Sequence, residues 1–321
     1  MIPQKNLQNG LVVAGFGRHV LVEIDSGERI ICHPRGKKNT AVVGDRIQWL
    51  ATQDEGTIEK LEPRRNLFYR QDEIRTKSFA ANLDQILILI AAEPEFSESQ
   101  LSRALIAAEA EHITPIIALN KSDLAVPFAK AWERLIPYKE MGYEVVALAL
   151  KPKNEAKSEN KAEVSNDFEN AQAQQLMALL KNKTTLVLGP SGAGKSTMIN
   201  ALVPKAAVFT QEISQALNSG KHTTTSTTWY WVDDAKTTAI IDSPGFQEFG
   251  LNHIEAMHLA SFMPDFKVHV PHCKFYNCSH LHEPGCGVLG SIKSNASQHK
   301  ISQERYRIYS SLFAELSEVR Y

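Results

Sequence analysis

One octapeptide constrains this chain more than any other stretch: Gly189, Pro190, Ser191, Gly192, Ala193, Gly194, Lys195 and Ser196. It follows the apolar run 184–188 (TTLVL) and leads through Thr197 into 198–202 (MINAL), which has helical character. Strand, glycine-rich turn and helix form the context in which G-x-x-x-x-G-K-[ST] cradles phosphate. Glycines let successive N–H groups curl around phosphate oxygens, and the helix start adds partial positive charge. Lys195 can reach the β- and γ-phosphates, which places it among the candidate catalytic groups, and the Ser196 hydroxyl can ligate Mg²⁺. An ordinary glycine turn before a helix is the competing reading. With strand and helix both in place it is the weaker one.

A length of 321 residues suits two or three domains with a sizeable core. The net charge of −1 supplies no global field toward nucleic acid, so any RNA contact must come from local patches. Residues 1–6 lack the apolar core of a signal peptide, and the apolar runs are too short to span a bilayer. The expectation is a cytoplasmic protein without a membrane partner. Of the four cysteines, Cys32 stands alone while Cys273, Cys278 and Cys286 crowd together beside histidines. That spacing suggests metal rather than disulfides.

Residues 10–70 read as short strands broken by turns, including 11–13, 20–24, 29–32, 41–43, 45–49 and 57–61. Strands this short with no helix between them fit a small closed β-barrel of OB-fold size. The loop 35–38 (RGKK) and the segment 64–70 (RRNLFYR) set basic charge near aromatics. Such clusters are offered to RNA or are solvated surface; the sequence leaves both open.

After Arg75 strands alternate with helices. The buried run 84–90 (DQILILI), a capped helix over 97–110, the strand 115–119 and a further strand at 143–148 imply a mostly parallel sheet with helices on both faces. Residues 151–174 are polar and predict a mobile surface insertion. Asn120, Lys121, Ser122 and Asp123 end one buried strand, where α/β sheets bind ligands. A carboxylate at Asp123 can accept two N–H bonds from guanine, where adenine offers the wrong pattern. Asn120 can hold the purine and its own loop, and the Lys121 stem can lie along the base. Asp242, Ser243, Pro244 and Gly245 close another strand. D-x-x-G alone means little, but after a phosphate loop it reads as a Mg²⁺-sensing aspartate and a glycine whose N–H meets the γ-phosphate. Between them lies 219–225 (SGKHTTT), whose threonines can complete the Mg²⁺ shell around GTP. Guanine, phosphate and metal sites on one sheet describe a GTPase. A P-loop kinase is a weaker reading, because N-K-x-D and D-x-P-G argue against it.

The order is unusual. Asn120–Asp123 precede the phosphate loop, whereas in most GTPases N-K-x-D comes last, so the domain is circularly permuted. The segment that senses the γ-phosphate then leads almost directly into the C-terminal part. There, three thiols and one imidazole can close a tetrahedral Zn²⁺ shell, with His280, His282 or His272 as the nitrogen ligand. A full shell is structural, and the competing reading is reduced cysteines packed as small hydrophobes. Residues 297–321 predict a terminal helix packed through Tyr306, Ile308, Leu312 and Leu316.

The motifs P-R-G-K, V-G-D, N-K-S-D, G-P-S-G-A-G-K-S, G-K-H-T-T-T, D-S-P-G-F and C-K-F-Y-N-C-S-H-L-H-E-P-G-C span nearly the whole chain. It resembles the RsgA/YjeQ-like family of circularly permuted GTPases involved in late maturation of the small ribosomal subunit. The resemblance implies an OB-fold domain over 1–76, a permuted GTPase domain over 77–262 and an α-rich zinc-binding domain over 263–321. It implies GTP hydrolysis to GDP stimulated by the small subunit, contact with rRNA, and a monomer. By motif position it gives Cys273, Cys278, His280 and Cys286 as zinc ligands, Thr224 as a Mg²⁺ ligand and His222 as a catalytic residue. Phe246 follows Gly245 where many GTPases place a water-orienting glutamine, and a phenyl ring cannot align water. His222 is therefore the candidate and Gln247 the runner-up. The chain departs from the pattern in the 151–174 insertion and in lacking an S-A-K-like motif near Ala147 and Leu148. A GTP-dependent ribosome-docking module with negligible turnover is the alternative function.

Overall fold

The computed structural model describes residues 7–16, 19–36, 41–52, 55–72, 75–150, 171–203, 206, 227–245, 249–293 and 300–318. His222, Thr224, Phe246, Gln247 and most of the polar insertion lie outside them.

Strands β1 (Gln8–Phe16), β2 (His19–Glu23), β3 (Arg29–Pro34), β4 (Arg46–Ala51) and β5 (Gly56–Leu61) build the expected barrel. β1 pairs with β2, β2 with β3, β3 runs parallel to β5, β5 pairs with β4, and β4 returns to β1, closing the sheet on itself. Alternation along each strand turns Val12, Val20, Val22, Cys32, Ile47, Trp49 and Ile58 into one interior. Gly56 lies so close to the Trp49 ring and the Cys32 thiol that any side chain there would collide with both. The strand expected at 41–43 is instead a single bridge from Val43 to Ala80. The chain turns at this point because Gly44 takes φ +90° and the Asp45 carboxylate accepts the Val42 N–H at 2.8 Å.

Several cations of the basic clusters are internally paired. The buried Asp45 carboxylate accepts two bonds from Arg64, at 2.7 and 2.8 Å, Arg35 donates to Glu59, and Arg65 pairs with Asp84. The hairpin β6 (Leu67–Gln71) and β7 (Thr76–Ala81) then carries Phe68 and Phe79 against Phe249.

The central sheet contains β8 (Gln85–Ala91), β9 (Thr114–Asn120), β10 (Glu144–Ala147), β11 (Thr184–Leu188), β12 (Thr228–Trp231) and β13 (Ala239–Asp242), in the order β10-β9-β8-β11-β13-β12. The first five in that order are parallel and β12 is antiparallel to β13. Every residue of β8 is buried. Its pleat sends Ile86, Ile88 and Ile90 into one layer and Leu87 and Leu89 into the other. Helix α1 (Glu98–Ala110), capped by Ser97 on the Gln100 N–H, belongs to the first layer. Helices α2 (Ala125–Glu133) and α3 (Ile136–Glu140) lead toward β10. α4 (Ala171–Leu180) and α5 (Lys195–Leu202) cover the second face with Leu176, Leu180, Met198 and Ile199. Residues 171–174, expected within the polar insertion, form the first turn of α4 because Leu176 finds apolar partners on the sheet and Ala173 is buried.

Barrel and central sheet are continuous. Ala14 of β1 pairs with Thr228 of β12, and Glu23 of β2 accepts bonds from Trp231 Nε1 at 2.9 Å and Lys236 Nζ at 2.6 Å. On the other side, α6 (Pro264–Lys267), α7 (Gly287–Lys293) and α8 (Gln303–Ser317) form the C-terminal part. In α8, Ile308 and Leu312 are buried and Tyr306 and Leu316 pack against the core, as the sequence predicts; Tyr309 is buried too. Arg305 anchors this part to α1. Its buried guanidinium bonds Asp265 twice at 2.9 Å and the Ser102 hydroxyl of α1 at 2.7 Å. A buried pair of this kind needs such full satisfaction to persist.

Candidate nucleotide site and metal centre

The glycine-rich loop leaves β11, a strand flanked on both sides by parallel neighbours, so its position is fixed by the middle of the sheet. Gly189 passes over the Leu89 carbonyl with no room for a Cβ. Gly194 caps α5 at φ +104°, where a Cβ would strike the Asn120 amide. Both glycines are therefore required by backbone path, independently of any ligand. Lys195 opens α5 and folds back over the loop, donating to the Gly189 and Pro190 carbonyls at 2.7 and 3.2 Å. Burial lowers its pKa, against the pull of nearby Asp242.

Asp242 ends β13 beside β11. Burial pushes its carboxyl up to about 6, although Lys195 and the Ser243 N–H act in the opposite direction. The Ser243 hydroxyl donates to the Val187 carbonyl at 2.7 Å, tying the exit of β13 to β11. Gly245 then closes on the loop: a Cβ there would stand 3.4 Å from Lys195 Nζ and 3.7 Å from the Ser191 nitrogen. The D-x-P-G turn and the phosphate loop are thus in direct contact.

Asn120 ends β9 and is buried. Its Nδ2 donates to the Ala193 carbonyl at 2.9 Å and its Oδ1 accepts the Leu150 N–H at 3.0 Å. The amide joins its own loop to two others, one of which the sequence reading had left unassigned. That segment follows β10, and the Ser122 N–H donates to the Leu148 carbonyl at 2.9 Å. The side chains of 148–150 carry no recognisable motif because the backbone makes the contacts. Lys121 has φ +68°, and Asp123 is exposed. Four loops remote in sequence thus meet: Asn120 holds Ala193 and Leu150, and Gly245 lies against the phosphate loop.

The C-terminal cluster is built differently. The ligand atoms of Cys273, Cys278, His280 and Cys286 all lie within 4.8 Å of one another. His280 Nδ1 stands 3.4 Å from Cys273 Sγ and 3.5 Å from Cys286 Sγ, and those two sulfurs are 3.9 Å apart. A zinc tetrahedron with bonds of about 2.3 Å to sulfur and about 2.0 Å to nitrogen separates its corners by about 3.8 and 3.5 Å. The donor set therefore fits a zinc-sized ion with His280, not His272 or His282, as fourth ligand. Supporting contacts that the sequence did not announce come from α8 and Glu283. Tyr306 and Tyr309 donate to the His280 and Ser279 carbonyls at 3.1 and 2.9 Å. Against the effect of burial, bonds from Ser279 and His282 hold Glu283 down at about 2.

A family profile described as RsgA GTPase matches residues 61–252. The small ribosomal subunit biogenesis GTPase RsgA of Variovorax paradoxus (strain S110) is 67% identical over 315 residues, covering 98% of this chain and 94% of that protein. This chain belongs to the RsgA GTPase family. The RsgA of Paraburkholderia phytofirmans (strain DSM 17436 / LMG 22146 / PsJN) is 45% identical over 322 residues, covering 99% and 96% of the two chains. Among solved structures, YjeQ from Thermotoga maritima superposes with a TM-score of 0.70 at 26% identity, covering 98% of this chain and 100% of that one. YloQ, a circularly permuted GTPase, gives a TM-score of 0.67 at 24% identity, covering 100% and 99%. The fold is the circularly permuted one that motif order implies for RsgA GTPases. Among the described residues no helix is long and apolar enough to cross a membrane.

Proposed function

We propose that this chain binds GTP with Mg²⁺ where these loops meet, hydrolyses it to GDP and phosphate, and acts in biogenesis of the small ribosomal subunit as a cytoplasmic monomer. The observation that supports this reading is that Asn120 meets the phosphate loop at Ala193 and Gly194, while Gly245 lies against the same loop at Lys195 and Ser191. Asp123 reads guanine, with Lys121 along the base and Ser122 setting the loop. Gly189–Thr197 wrap the phosphates, and Lys195 exchanges its two carbonyl bonds for phosphate oxygens. Ser196 and Thr224 would hold Mg²⁺, which would neutralise phosphate charge, and Asp242 would sense it. Gly245 donates its N–H to the γ-phosphate, and His222 positions the attacking water.

The division into an OB-fold unit at 1–76, a GTPase unit at 77–262 and a zinc unit at 263–321 belongs to the same reading. The ion in the Cys3His centre is zinc and its role is structural, because four protein ligands leave no open position. With GTP bound, the turn at Asp242–Gly245 is held in one arrangement, and its continuation at Phe249 meets Arg103, which also binds Glu315 of α8. The nucleotide state can thereby reset the C-terminal part relative to the barrel, so that both surfaces fit the subunit and its rRNA together only before hydrolysis.

Multiple-turnover phosphate release with and without small ribosomal subunits tests the activity; stimulation by subunits is expected. Turnover that stays negligible in both conditions leaves only a docking module. In co-sedimentation at one fixed salt, a non-hydrolysable GTP analogue should tighten subunit binding relative to GDP, and equal binding removes the timing role.

A further inference from the structure

We propose that Phe275 and Tyr276, at the tip of the loop between Cys273 and Cys278, form a platform on which unpaired RNA bases stack. The inference rests on the reading of this chain as an rRNA-contacting protein and assigns one place where the contact is made.

Large aromatics on a protein surface usually bury most of their area. Tyr276 is fully open, at 103% of its reference exposure, and Phe275 beside it is 41% exposed. The loop carrying them is short and held at both ends by ligands of the metal centre. It is further fixed by the Lys274 N–H, which donates to the Gly285 carbonyl at 3.0 Å. The rings are therefore presented on a rigid base, and ordering them on binding costs little entropy.

One cation and two further donors stand beside the rings. Lys274 Nζ lies 5.6 Å from the Phe275 ring centroid, and His272, Lys274 and His282 are exposed on the same stretch. The nearby carboxylates face elsewhere: Asp265 is buried on Arg305, and Glu283 is engaged by Ser279 and His282. Stacking with a flanking cation is how proteins hold single-stranded RNA with little demand on base identity. A protein partner is the poorer fit. Two rings flanked by Pro271, His272, Lys274 and Asn277 offer far less apolar area than about 800 Å² per side of a stable protein interface.

The test uses the full-length zinc-loaded protein and purified small subunits with a GTP analogue at several salt concentrations. Tyr276→Ala and Tyr276→Leu should each weaken binding by about 5- to 100-fold, while Tyr276→Phe should bind like the wild type. The salt slope should be the same for the wild type and Tyr276→Ala, because no charge is removed, and shallower for Lys274→Ala. Zinc content and Tm should be unchanged in the Tyr276 variants, since that side chain is fully exposed. Wild-type affinity in Tyr276→Ala overturns the proposal. Wild-type affinity in Tyr276→Leu alone also overturns it, in favour of an apolar protein contact. Failure of the wild type to bind subunits in any nucleotide state removes the broader reading, and this inference with it.

Discussion

The two sites of this molecule are held together by opposite means. The metal centre gathers four side chains from a fourteen-residue stretch, Cys273 to Cys286, around one point. The nucleotide cleft gathers backbone from positions near 120, 150, 190 and 245, and its main side-chain brace is Asn120. In the first, a bound ion would supply the cohesion, because the fold around the cluster is slight. In the second, the parallel sheet supplies the cohesion and the ligand adds to geometry already in place. A closed shell is therefore vulnerable at each ligand, whereas an open cleft is vulnerable in affinity and selectivity before it is vulnerable in folding.

The largest effect is expected at the metal. Cys278→Ala should release the ion and with it a share of the roughly 10–16 kcal/mol that structural zinc binding supplies, unfolding the C-terminal part. Metal analysis should fall from about one equivalent to none, with new protease cleavage after residue 263. Retained metal with an unchanged digest would mean that the shell is not closed by these four residues. Asp123→Asn should leave folding intact and shift preference from GTP toward xanthosine triphosphate by up to about 10⁴-fold, read by competition binding. Equal affinity of the wild type for ATP and GTP would remove the base-reading assignment.

Asp242 sharpens the contrast from within the cleft. Its folded pKa, about 6, lies above the ordinary carboxylate value. Protonation thus favours the folded state, a contribution complete below the ordinary value and lost as pH rises through about 6. At pH 7.5 the ionised, buried carboxylate costs about 2–3 kcal/mol, so Asp242→Asn should raise the Tm of nucleotide-free protein by about 5 °C. The gain should vanish near pH 4, while Mg²⁺-dependent nucleotide binding is lost. A lower Tm at pH 7.5 would show that the Lys195 pairing outweighs desolvation. The smallest effect is expected for Asn120→Ala, which unties the Ala193 and Leu150 loops. GTP and xanthosine triphosphate should weaken together, by about tenfold, in calorimetry. A change confined to guanine nucleotides would make Asn120 a base reader rather than a brace.

The loops of both sites were legible because their chemistry tolerates few residue types: glycine where backbone must approach backbone, thiol and imidazole around a soft ion. Strand alternation in β1–β5 and the unbroken apolar run of β8 likewise announced barrel and buried sheet. What stayed hidden are pairings between residues far apart that are individually ordinary. Nothing about Arg305, Asp265 and Ser102 marks them as one buried cluster, nor Tyr309 as a support for the metal loop. The segment after β10 acts through its amides and carbonyls, so Leu148 and Leu150 look interchangeable with any apolar pair. The start of α4 at Ala171 was missed because alanine and glutamine give no signal until the sheet face is known.

β2 occupies one edge of β1, and the other edge serves two partners along its length. Gln8–Leu11 lie on β4, while Ala14 lies on β12, whose Thr228 is translated long after the barrel's own strands. During synthesis the barrel can close while that later stretch of β1 still shows unsatisfied amides and carbonyls, which invite pairing with another chain. A truncated N-terminal fragment would carry the same exposed edge permanently, so excising the barrel for study calls for a guard at Ala14, such as a charged or proline substitution nearby.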